Sequence, residues 1–67
     1  VSDVQRHDAT RAAGLALAAA VRAACVQAAI EGFEDARIAG LCCEGAIEAA
    51  VEAMRKIDME RIVREQM

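Results

Sequence analysis

The chain has 67 residues, of which 57% are apolar, yet Phe33 is the only aromatic residue apart from the imidazole of His7, and 11 acids against 8 bases leave a formal charge of −3. One domain is the upper bound, and because most of the apolar fraction is alanine, a lone core would be weak at ~25 cal/mol per Å² buried. Scattered bases and a single ring exclude the basic, aromatic-lined footprint of a nucleic-acid binder, and three cysteines without zinc-finger spacing predict free thiols in a reducing cytoplasm rather than a disulfide framework.

The first element opens at Ser2-Asp3-Val4-Gln5. Serine followed three residues later by glutamine fits a capping box, and Asp3 suits the first turn. No helix breaker follows until Gly40, so helix 1 is predicted over about 3–39, roughly 55 Å at 1.5 Å per residue. Gly14 and Gly32 are interior costs of about 1 kcal/mol each relative to alanine, and each marks either a close helix contact or a bend. The apolar run 12–21 followed by Arg-Ala-Ala-Cys mimics an export signal, but Asp3 and Asp8 contradict a basic leader and Arg22 falls where a cleavage box needs an apolar residue. Residues 12–30 hold Arg22, Gln27 and many alanines, so a membrane span is not expected.

At 100° per residue, helix 1 carries two apolar stripes. Leu15, Val26, Ile30 and Phe33 share one, with Ala29 beside them; Leu17, Val21, Ala24 and Ala28 share the other. Gln27, Glu31 and Glu34 occupy the strips between. Arg22 is expected to snorkel to the surface or pair with an acid of a neighbouring chain.

The next segment, Gly40-Leu41-Cys42-Cys43-Glu44-Gly45, reads as a hairpin tip. Gly40 fits a position of positive φ just past the helix, with Leu41 folding back as its hydrophobic partner. Helix 2 is predicted over about 44–65, with Ile47, Val51, Met54 and Ile57 at helical spacing and the pairs Glu52–Lys56 and Glu60–Arg64 in the favourable order. Asp58, bracketed by Ile57 and Ile62, is a second cap signal; a continuous, bent helix is the favoured reading. Folded back antiparallel, Met54 would lie near Ile30 and Val51 near Phe33, leaving the second stripe open. The fold class expected is therefore an all-α hairpin assembling into a homodimeric four-helix bundle, with Leu15, Leu17, Val21, Ala24 and Ala28 at the interface.

Two features of the tip invite chemistry. Glu31, Glu34, Asp35, Glu44, Glu48 and Glu52 surround it against Arg37 alone. Glu44 and Glu48 suit a helix N-terminus, whereas Glu31, Glu34 and Asp35 stand at the wrong end of a helix dipole, and Glu31 and Asp35 repel at i,i+4. A divalent cation held by Glu31, Glu34, Glu44 and Glu48 across subunits is one reading; a solvated acidic end, or a dock for a basic protein, is the plainer one. Cys42 and Cys43 lie where a helix N-terminus activates thiols, but a packing role for one of them suffices. Cys25 is about 20 Å back along helix 1, too far to join them. The single His7, expected to face solvent, makes no Glu-x-x-His motif, so an intrachain di-iron site is not expected.

The reading carried forward is a small, cytoplasmic, self-associating interaction module without catalysis of its own. Its alternatives are a metal- or thiol-dependent protein with a site shared between hairpin tips, and an accessory subunit of a larger enzyme.

Overall fold

The computed structural model describes residues 3–66, with side chains for residues 8–66. The cap expected at Ser2 and the side chain of His7 lie outside these. Helix α1 runs Asp3–Ile38, its 36 residues matching the expected span to within one residue. Its alanine-rich sequence has high helix propensity and no proline.

α1 ends as its sequence requires. Gly40 adopts φ 93°, the one positive value among the described residues. The Leu41 N–H donates to the Ala36 carbonyl and the Gly40 N–H to the Arg37 carbonyl, both at 3.0 Å. This double closure is a Schellman motif. The Arg37 guanidinium adds a bond to the Leu41 carbonyl at 3.1 Å, so the turn is tied from both sides. Leu41 folds back over the start of the next helix, where a Cβ added to Gly45 would lie 3.4 Å from the Leu41 side chain.

Helix α2 follows over Cys43–Arg55. The continuous second helix expected to about residue 65 is not found: the chain leaves the helix at Lys56 and re-enters as α3, Met59–Gln66. The Asp58 carboxylate accepts the Arg61 N–H at 3.0 Å, so the second cap signal prevails over continuity. Ile57 is half-buried and Ile62 buried, on either side of that cap. Replacing Asp58 by alanine is expected to lower stability by about 1 kcal/mol, read as an earlier urea midpoint with an unchanged slope; an unmoved midpoint would deny the cap its role.

Pairs along the return arm are local and exposed. Glu60–Arg64 forms at 4.0 Å as expected, and Arg61–Glu65 forms at 3.0 Å. Glu52 meets Arg55 at 3.9 Å, while Lys56 has become the C-cap. Exposed pairs of this kind contribute ~0–1 kcal/mol each.

Both α2 and α3 pack on α1, forming an antiparallel hairpin whose return arm is bent. The molecule measures 57 × 17 × 13 Å. Its radius of gyration, 16.7 Å, exceeds the ~11 Å of a compact chain of this length. The arm lies on the stripe of small residues. Leu17, Val21, Ala24, Cys25, Ala28 and Ala29 are half-buried there, and Ala36 is buried. The helices approach closely at Gly32, where an added Cβ would fall 2.9 Å from Ala53 Cβ and 3.1 Å from the Ala49 carbonyl oxygen. Glycine facing alanine lets the two backbones come this near, and that selects the stripe. The expected approach of Met54 to Ile30 is accordingly not seen as burial: Ile30 stays 48% exposed.

Candidate functional site

The arm's choice of stripe leaves a long apolar face in the open. On α1, Leu15 is 62% exposed, Val26 54% and Ile30 48%. At 100° per residue these fall within about 60° of arc, with Ala12 and Ala19 among them and Ala23 about 20° beyond, all exposed. On α2, Ile47 and Val51 are also open. The interior offers little in exchange. Ala36, Ala46 and Ile62 are the buried apolar residues among those described, and no large side chain is fully buried. Of the five residues assigned to a subunit interface, Leu15 stands on this open face. Leu17, Val21, Ala24 and Ala28 stand on the other flank, half-covered by the chain's own return arm.

The tip is built as a turn. Cys42 is the N-cap of α2 in extended conformation, and its side chain makes no capping bond. Its carbonyl accepts the Ala46 N–H at 2.8 Å. Cys42 and Cys43 are free and exposed; Cys25 is free and half-buried on α1. Glu31, Glu34, Glu44 and Glu48 are all exposed. Among the described residues no three acidic, cysteine or histidine side chains come together in one chain as a metal site would need. Glu31 is not left to repel Asp35 unaided, because Gln27 donates to its carboxylate at 2.6 Å. That i,i+4 bond was open to sequence reasoning, and it removes part of the anomaly at this end of the helix.

Two surface depressions among the described residues are lined mainly by apolar groups. One lies between α1 and α3, edged by Ala13, Gly14, Leu17, Val63 and Gln66; another lies along α3 at Met59, Glu60, Val63 and Arg64. Neither brings together a nucleophile and a base. α1 over Asp8–Ile38 is long and apolar enough, by length and composition, to cross a membrane, with a window of mean hydropathy 1.7.

No protein-family model, no curated protein and no solved structure matches this chain.

Proposed function

We propose that this chain is a small self-associating assembly module. Its hairpin completes its core by pairing with a second copy as a four-helix bundle in the cytoplasm, without catalysis of its own. The observation that carries this reading is the missing interior. A compact monomer of 7.1 kDa has an accessible surface of about 4,100 Å², whereas the single hairpin exposes 5374 Å². The surplus of about 1,300 Å² exceeds the ~800 Å² that each partner contributes to a standard interface. Leu15, Val26 and Ile30 lie open on that surface, and apolar patches of this kind mark association sites. Three free thiols support a reducing compartment. The acidic tip remains available to a basic partner.

Sedimentation equilibrium across a hundredfold range of concentration, with circular dichroism on the same samples, tests this. The expected result is a dimer whose helicity falls as it dissociates. A monomer with full helicity at micromolar concentration would overturn the reading. A second reading, membrane association through α1, rests on its hydropathy; flotation with lipid vesicles at low salt separates the two, since the bundle is expected to stay in the aqueous fraction.

A further inference from the structure

We infer that the second copy docks antiparallel along α1, about a two-fold axis that passes between Arg22 and Ala23. This rests on the self-association proposed above and specifies its partner face and register. A two-fold interface must be self-complementary: if residue i meets j of the second copy, j meets i. The open stripe has this property. Leu15 and Ile30 are equally spaced about that point, and so are Ala19 and Val26. Each pair sets a large apolar side chain against a partner on the facing helix, and Ala19 opposite Val26 keeps the axes close. Farther out, Asp8 and Arg37 are symmetrical about the same point. The docking therefore ends at both extremities in a carboxylate facing a guanidinium. Arg37 uses one N–H on the Leu41 carbonyl and has four more donors to offer. Arg22 stands at the margin of the stripe and is exposed, long enough to carry its charge to water beside its symmetry mate.

Charge also decides direction. Glu31, Glu34, Asp35, Glu44, Glu48 and Glu52 are gathered at the tip half of the hairpin and outnumber Arg37, Arg55 and Lys56 there, while Arg11 lies on the other half of α1 and Arg22 beside the axis. Parallel docking would lay two acidic tips side by side, and like charges brought together cost free energy. Antiparallel docking lays each tip along the less acidic half of the other copy. It also holds the tips more than about 45 Å apart at 1.5 Å per residue, so a metal or thiol site shared between two tips is not formed in this arrangement.

Site-directed cross-linking tests the register. With Cys25, Cys42 and Cys43 replaced by serine, Ala23→Cys places one thiol beside the axis, within the ~4.4–6.8 Å Cα separation that a disulfide needs. A second variant keeps Cys43 as its sole thiol at the tip. Under mild oxidation at low protein concentration, Ala23→Cys is expected to become a covalent dimer almost completely, and the Cys43-only protein to stay uncrosslinked. A dimer by sedimentation in which Ala23→Cys fails to cross-link, or in which Cys43 does cross-link, overturns this register and leaves self-association standing. A helical monomer in both variants overturns self-association as well.

Discussion

Gly32→Ala is expected to destabilise the protein, and Gly14→Ala to stabilise it, although both glycines sit inside the same helix. In isolation each substitution gains helix propensity, about 1 kcal/mol. At Gly14 nothing lies within 4 Å of an added Cβ, so that gain is kept. At Gly32 the added methyl would meet Ala53 Cβ at 2.9 Å, the Ala49 carbonyl oxygen at 3.1 Å and Ala50 Cα at 3.3 Å. None of these can rotate away, because an alanine methyl and backbone atoms move only if the whole helix does. Overpacking of this sort costs ~1–3 kcal/mol, which offsets the ~1 kcal/mol propensity gain and leaves a net loss of up to about 2 kcal/mol at Gly32. For a domain of this size 1 kcal/mol shifts Tm by ~4–8 °C; the two variants should move the melting temperature in opposite directions. A rise in Tm for both would mean that α1 and α2 do not approach at Gly32.

Val26→Glu combined with Ile30→Glu is expected to abolish self-association and, with it, the part of the helicity that the second copy supports, although neither change lowers the helix propensity of α1. Glutamate has a higher helix propensity than either β-branched residue, and both sites are about half exposed in the single hairpin. A monomeric protein would therefore show changes within ~0.5 kcal/mol, as surface substitutions usually do. In a two-fold dimer the same two changes strike four side chains. Each already half-open residue contributes roughly half of the ~1.5–3 kcal/mol of full burial. The combined loss is about 4 kcal/mol, on the order of a thousandfold in Kd, before any charge is buried. Sedimentation equilibrium of the double variant beside the parent reads this directly. Unchanged association would remove Val26 and Ile30 from the interface.

Much of the local structure was legible because its causes are local. The span of α1 follows from alanine propensity and the absence of breakers. Its end follows from Gly40, the residue that tolerates positive φ, and Leu41 takes its place in the motif as expected. The break before α3 was half-legible: Asp58, bracketed by Ile57 and Ile62, carried the cap signal, but the helical spacing of Ile47, Val51, Met54 and Ile57 and the Glu60–Arg64 pair favoured continuity, and sequence reasoning does not weigh one hydrogen bond against one helical turn. The Gln27–Glu31 bond was within reach, since both residues occupy i,i+4 positions. The two thiols and the tip carboxylates were legible as residues but not as an arrangement, and within one chain they remain exposed and separate.

Composition and periodicity were enough to establish an alanine-rich, two-striped helix that turns once at Gly40 and folds back on itself, because propensity, capping and phase act over a few residues. Which stripe the return arm would cover was settled only by packing in three dimensions. Phase alone makes the two stripes equivalent, and side-chain size favoured the stripe of Leu15, Val26, Ile30 and Phe33, the one expected to take the arm. The decision rests on how near two backbones can come, and that depends on Gly32 meeting Ala49, Ala50 and Ala53 from more than fifteen residues away along the chain. Once the small stripe is used for that contact, Leu15, Val26 and Ile30 are left facing outward.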